Sequence, residues 1–411
     1  MFQVSEREKI QEICNIIKDR IENLHIGCFK GMEKSLFLIS NTYPGVWLEH
    51  VYDSVFYAKL QPERMDLAVN TINLFLDHQK ENGQLPCYVW NGDVMKVPEE
   101  NLVGYGQIQE CVSFAQLALE VCEMTGDRAF LEKVYEGSGK WAGWLKHNRM
   151  TTNRGLIELF VGFDTGHDNS GRLEGLSCPG NYVKDGVLMN ASVLPQDEVA
   201  PILAVDMNAN YFATLRALAK MAEMLGKNEE AAKWQKESSQ IKEKLFEICF
   251  DEADVFFYDV DKNGRKRKYL SSTILHLFLE KVLDQEADSA LIKEIYDRHI
   301  KNPEEFWTEY PFPSMAVSDP SIKDHIEANC WGYFSQGLIA LRCTRWMDDY
   351  GMSRDFDILC EKWLKAWTAC FDHFKLGQEL DPITGEPSPS SEWYSSVMLF
   401  YWYGARRLKI V

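Results

Sequence analysis

Apolar residues recur at helical spacing through most of this sequence, and that periodicity limits the folds open to it. Ile10, Ile13, Ile16, Ile17, Ile21 and Leu24 set the pattern over Ile10 to Leu24. It returns over Leu67 to His78, Ile108 to Met124, Phe130 to His147, Asn208 to Leu225, Glu230 to Phe246, Leu270 to Leu283, Ala290 to His299, Cys330 to Tyr350, Ser353 to Phe374 and Glu392 to Leu408. Residues three and four apart form one stripe on a helix, and such a stripe must be buried against another element. Gly126-Asp127 and Gly226-Lys227 are stop signals after two of these segments. Strand-like stretches are short, as in Val255 to Val260 ahead of Asp261-Lys262-Asn263-Gly264, which reads as a hairpin turn.

The helices follow one another in pairs. Between them run long, aromatic-rich loops with Gly and Pro, at 82–106, 160–201, 306–326 and 377–391. Loops of that length in a compact domain usually carry function. No low-complexity linker divides the chain. The expected fold is all-α: one (α/α)6 barrel, or toroid, over residues 1–411, with six inner and six outer helices, long functional loops and minor β-hairpins. Two stacked helical bundles are the alternative. No short strict repeat supports a solenoid.

Composition narrows the function. Lys and Arg number 44 against 62 Asp and Glu, a net charge of −18, so no nucleic-acid partner is expected. Gly264-Arg265-Lys266-Arg267-Lys268, the one dense basic run, reads as a solvated loop. The first residues have no apolar h-region, and no apolar stretch is long enough to span a bilayer, so neither a secretory signal nor a membrane partner is expected. The 11 Cys are scattered without a CxxC pair. This points to reduced thiols in a cytoplasm and away from a disulfide framework or a zinc site. Aromatic residues reach 12%, which suggests a site that stacks flat, partly apolar ligands.

Three segments carry the chemistry. Phe163-Asp164-Thr165-Gly166-His167-Asp168-Asn169-Ser170-Gly171-Arg172 places two carboxylates four apart in a Gly-rich loop, with an amide, a hydroxyl and an Arg behind them. An acid catalyst needs a carboxyl kept protonated by an apolar or anionic setting. By itself the segment reads equally well as a capped, hydrogen-bonded turn. Gly377-Gln378-Glu379-Leu380 precedes the turn Asp381-Pro382-Ile383-Thr384-Gly385 and presents Glu379 beside it. Trp47-Leu48-Glu49-His50-Val51-Tyr52-Asp53 sets Asp53 in an apolar run, where a carboxylate must be paired or bind a ligand. Gln84, Gln107 and Gln109 add amides at loop-to-helix junctions. Carboxylates, amides and aromatic faces suit a sugar: polar groups read the hydroxyls and a ring stacks on the apolar face.

These residues resemble the clan of inverting α-glycosidases that holds the trehalases, processing α-glucosidase I (glycoside hydrolase family 63) and the mannosylglycerate and glucosylglycerate hydrolases. The trehalase motif Glu-Ser-Gly-Trp-Asp-Phe-Ser-Ser-Arg matches 164–172 in register, and relatives with Gly-x-Asp-Asn-Ser-x-Arg match more closely. The resemblance implies Asp168 as general acid and Arg172 as a substrate or orienting residue. A late Glu before an (Asp/Asn)-Pro-x-Thr-Gly turn, with a Trp about a dozen residues on, matches Glu379, Asp381 to Gly385 and Trp393, and implies Glu379 as general base. Tyr52-Asp53-Ser54-Val55-Phe56 stands for the clan's Trp-Asp-Ser-x-Phe and implies that Asp53 contacts sugar hydroxyls. Val205-Asp206-Met207-Asn208-Ala209 and the Pro313-Ser314 to Asp319-Pro320 loop match as well. The matches run in order from about residue 43 to 400. The usual Trp-Arg-Gly-x-x-Trp becomes Cys330-Trp331-Gly332-Tyr333-Phe334, without the Arg, and no part of this chain reads as the N-terminal β-sandwich of many relatives.

The implied activity is hydrolysis of an α-linked glucoside or mannoside, exo-acting and with inversion. The substrate is a small carbohydrate: a disaccharide, an oligosaccharide or a glycosyl-glycerate. Acid and base would lie roughly 6.5–9.5 Å apart to admit a water. No cofactor and no metal are expected. The expected substrate contacts are Trp47, Tyr52, Asp53, Gln84, Gln107, Gln109, Asp164, His167, Asn169, Arg172, Trp307, Trp331 and Trp393, with Trp90 a further stacking candidate. Asp164 is expected to raise the pKa of Asp168 by like-charge repulsion. His50 and His78 read as structural, and Trp141, Trp144, Trp363 and Trp367 as core. A sugar epimerase or isomerase on the same toroid and a non-catalytic carbohydrate-binding protein are the alternatives. The sequence leaves the sugar, the linkage, exo versus endo action and the oligomeric state open.

Overall fold

Two kinds of helix alternate along the chain. The computed structural model describes residues 2–29, 32–40, 45–92, 99–199, 201–324, 331–389 and 391–411. In these, α1 (Val4–Arg20), α3 (Met65–Asp77), α5 (Arg128–Arg149), α7 (Asn228–Cys249), α9 (Ser289–Ile295) and α11 (Ser353–Cys370) are amphipathic. In α7 the buried positions are Ala231, Ser238, Ile241, Leu245 and Cys249, a single stripe at helical spacing. The helices between them are α2 (Val51–Leu60), α4 (Phe114–Thr125), α6 (Val205–Met224), α8 (Leu275–Leu279), α10 (Gly337–Arg342) and α12 (Ser395–Arg407). Most of these are buried on nearly every side. The first set forms an outer ring around the second. Inner neighbours pack as α12 on α2, α2 on α4, α4 on α6, and α10 on α12. The result is an (α/α)6 barrel, with Trp141, Trp144, Trp363 and Trp367 in its core as expected.

Local chemistry sets the boundaries. Gly126 takes a left-handed φ of 64° to end α4. The next residue, Asp127, accepts from the backbone N–H groups of Ala129 and Phe130 at 2.9 and 3.0 Å and starts α5. Strands Phe256–Phe257 and Val260–Asp261 lead into the hairpin turn, where Gly264 has φ 85°.

Four expectations are corrected. Helix α2 has no counterpart among the expected helices, because Val51 through Ala58 are all buried and leave no period to read. The segment 108–113 is not helical: α4 starts at Phe114 behind its cap Ser113, which leaves Gln109 and Glu110 in the loop ahead of it. The span Leu270 to Leu283 shortens to a 3-10 turn and α8. The span Cys330 to Tyr350 shortens to α10 and a 3-10 turn, and Cys330 lies outside the described residues. No helix among the described residues is long and apolar enough to cross a membrane.

Candidate active site

The segments that lead into the inner helices gather at one mouth of the barrel. A pocket there is lined by Trp47, Glu49 and His50 ahead of α2, Gln107 and Gln109 ahead of α4, Trp331 ahead of α10, Gln378, and Tyr394 ahead of α12. Phe163, Gly166 and Asp168 come from the Gly-rich loop. A larger basin of about 670 Å³ lies at the helices' C-terminal ends. Three of its cations pair with its own acids, Lys59 and Arg345 with Glu120 and Lys281 with Asp349, and we place the chemistry in the smaller pocket, where Asp168 stands.

Asp168 owes its position to a pinned loop. Asp164 accepts from the backbone N–H groups of Ile108 at 3.0 Å, Phe160 at 3.0 Å and Val161 at 3.2 Å. Gly166 then turns the chain at φ 71°, a conformation that suits glycine. His167 N–H donates to the Thr165 hydroxyl at 3.0 Å. Beyond the acid, Arg172 clamps the loop to the barrel. Its guanidinium reaches Asp206 at 3.2 and 2.6 Å and Asp259 at 2.7 Å, all three side chains being buried. Asp168 itself is partly exposed in the pocket and has no hydrogen-bond partner among the described residues. Burial first, and then the charge of Glu49, push its pKa up to about 8.

Glu379 is fixed by a different device. Strands Ser335–Gln336 and Glu379–Leu380 pair with Gln336 opposite Glu379. The Gln336 amide donates to Glu379 Oε1, which also accepts from Trp331 N–H at 3.0 Å. The Asp381 carboxylate accepts from Ile383 and Thr384 N–H, each at 2.8 Å, and Gly385 closes the turn at φ 75°. That turn returns the chain so that the Ser388 hydroxyl donates to Glu379 Oε2 at 2.8 Å. The Glu379 side chain is fully buried. Trp331 links the two centres: its N–H holds Glu379, and its indole stacks on the His167 ring at 3.9 Å, beside Asp168.

Residues 50–331 match the family described as the mannosylglycerate hydrolase MGH1-like glycoside hydrolase domain. The chain belongs to this family. A comparison with curated protein sequences finds no match. Among solved structures, the glycoside hydrolase family 63 mannosylglycerate hydrolase of Thermus thermophilus is 16% identical, covering 97% of this chain and 99% of its own, with a TM-score of 0.70. Neutral trehalase from Saccharomyces cerevisiae is 13% identical over 96% of this chain and 80% of its own, at a TM-score of 0.66. A metal-independent α-mannosidase from Streptococcus pneumoniae is 11% identical over 98% and 95%, at 0.61. At these identities the likeness extends to the fold.

In this MGH1-like chain the anticipated contacts divide into lining and frame. Trp47, Gln107, Gln109, Asp168 and Trp331 line the pocket. Trp47 stands against Tyr88 at 4.7 Å and edge-on to Trp90 at 5.4 Å, on strands that pair. Among the described residues the buried Gln107 and Gln109 amide oxygens have no hydrogen-bond partner. Asn169 is exposed next to the acid. The other anticipated contacts sit off the lining. Asp53 is buried under it, its Oδ2 accepting from the Ser395 and Ser396 hydroxyls at 2.5 and 2.7 Å. The Tyr52 hydroxyl bonds to Thr344 at 2.8 Å, and the Gln84 amide to Tyr105 O and Ser192. Trp307 packs on Phe312, and Trp393 lies under the Arg20 guanidinium. Arg172 and Asp164 are frame, and the neighbouring charge on Asp168 belongs to Glu49, not to Asp164. His50, expected to be structural, lines the pocket with Nε2 2.8 Å from the Tyr394 hydroxyl. Glu49 is a lining residue that sequence reasoning missed. The available signal was two polar residues, Glu49 and His50, inside an otherwise apolar run.

Arg172→Met leaves Asp206 and Asp259 buried without their cation. We expect a stability loss of about 3–5 kcal/mol, read by denaturant unfolding. An unchanged midpoint would show that the clamp is not structural.

Proposed function

We propose that this protein is an inverting, exo-acting α-glycosidase contained in a single catalytic domain over 1–411, with Asp168 as general acid and Glu379 as general base. The observation that carries the reading is the contrast between two carboxyls at one barrel mouth. Among the described residues Asp168 has no hydrogen-bond partner, and it holds its proton to about 8, whereas Glu379 accepts from Trp331 N–H, the Gln336 amide and the Ser388 hydroxyl. Donors to a carboxylate favour its charged form, and desolvation without donors favours the neutral acid. Asp168 then protonates the leaving oxygen as the glycosidic bond breaks. Glu379 takes a proton from the water that attacks the anomeric carbon. Gln107 and Gln109 orient sugar hydroxyls, and Trp47 or Trp331 takes the apolar face. The substrate is a small α-glucoside or α-mannoside. The Thermus thermophilus enzyme has been solved with glucose and with Tris and D-glycerate, which supports a sugar-sized ligand at this mouth. A panel of α-linked disaccharides and glycosyl-glycerates, followed by sugar release, tests the reading, and no release from any of them would contradict it.

The reading fixes a pH dependence. Asp168 acts only while protonated, so kcat/KM should fall as pH rises through about 8. An ordinary Asp would lose its proton near pH ~4, and the raised value therefore extends activity toward alkaline pH. A kcat/KM profile over pH checks this. An alkaline limb near pH ~5 would contradict it.

A further inference from the structure

We propose that Glu49, through its ion pair with Arg342, is a positioning residue that keeps the catalytic proton on Asp168. The inference rests on the reading of Asp168 as the acid. Glu49 is buried in the lining of the same pocket. Arg342 Nη2 donates to its Oε1 at 2.7 Å and fixes it in place. Its other oxygen faces the acid loop: a Cβ added to Gly166, two residues before Asp168, would stand 3.4 Å from Oε2. The acid loop thus passes beside the carboxylate, and the added Cβ would stand nearer still, 2.9 Å, to Cys111 Sγ. Two carboxyls held close together and largely removed from solvent do not readily both ionise near neutrality. The pair is unequal, because among the described residues Glu49 has a guanidinium partner and Asp168 has none. Burial raises the Glu49 carboxyl as well, but the Arg342 guanidinium opposes the rise there and no cation opposes it at Asp168, so the charge settles on Glu49 and the proton on Asp168.

The other ionisable groups nearby do not reverse that order. Burial holds His50 at about 3 and His167 well below its ordinary range, so both are neutral. Tyr394 lines the pocket as the hydrogen-bond partner of His50. Arg342 faces Glu49, Cys111 and Asp53; the Cys111 thiol also bonds to Glu49, and burial raises it well above its ordinary value, so it is neutral; Arg172 is taken up by Asp206 and Asp259. Glu379 is held by Trp331 N–H, Gln336 and Ser388.

The test follows the Asp168 carboxyl directly. Protein labelled with ¹³C at Asp carboxyls is titrated, and the Asp168 signal is assigned by its loss in Asp168→Asn. Glu49→Gln removes the charge and leaves Arg342 unopposed. Glu49→Gln with Arg342→Met removes both charges, and it carries the test if the single variant does not fold. The Asp168 midpoint should drop by about one pH unit or more in the single variant and by a smaller margin in the double. The alkaline limb of kcat/KM should move with it. A midpoint within about 0.3 unit of wild type in the folded double variant would overturn the inference. A shifted midpoint in a protein that hydrolyses no glycoside would leave the Glu49–Asp168 coupling standing and remove the glycosidase reading instead.

Discussion

Asp168→Asn is expected to slow hydrolysis of an unactivated α-glycoside by ~10²–10⁴-fold with the fold intact. The amide has the shape of the acid and no proton to give. Stability should hold because the Asp168 carboxyl has no hydrogen-bond partner among the described residues, so the substitution breaks no bond. The loop around it is held by Asp164 and Arg172, which the change does not touch. A glycosyl fluoride leaves without protonation, so the variant should recover most of its rate on that substrate. Near wild-type turnover on the unactivated glycoside would place the acid elsewhere. Glu49 would then be the first residue to test, since Asp164 is engaged with three backbone N–H groups.

Glu379→Gln should lower turnover by a similar ~10²–10⁴-fold, on glycoside and fluoride alike, because both reactions need an activated water. This sets the two variants apart: a fluoride rescues the loss of the acid and leaves the loss of the base uncorrected. The glutamine fits the bonds to Trp331, Gln336 and Ser388. Its carbonyl oxygen can face Trp331 N–H and the Gln336 amide, while its amino group faces the Ser388 hydroxyl, which accepts as readily as it donates. Thermal unfolding should therefore change little, and the loss is one of chemistry. Full fluoride hydrolysis in Glu379→Gln would remove Glu379 from the role of base.

The outer helices were legible because each buries one stripe, as α7 does through Ala231, Ser238, Ile241, Leu245 and Cys249. Helix α2 was not, since burial on all sides erases the period that a sequence pattern needs. The acid and base segments stood out because Gly-rich and Asp-Pro-x-Thr-Gly turns mark themselves in sequence. What sequence spacing did not reveal is which side of the wall a carboxylate faces. Asp164 and Asp168 lie four apart, yet a 3-10 turn and the left-handed Gly166 send one into the frame and leave the other in the pocket. Arg172 has the residue type of a sugar site and is taken up by Asp206 and Asp259, and Asp53 has its Oδ2 held by Ser395 and Ser396. Glu49 escaped notice because its partner Arg342 is 293 positions away, a pairing that only closure of the barrel creates.

The central claim, an acid and a base acting across a water, is tested most directly by the anomer first released. Proton NMR on an α-glycoside within minutes of mixing, before mutarotation, reads it. Water activated by Glu379 attacks the face opposite the leaving group, so the account predicts β-sugar as the first product. Early accumulation of α-sugar would mean that a carboxylate attacks the anomeric carbon and forms a covalent intermediate. That result would contradict both the inverting assignment and the role given to Glu379.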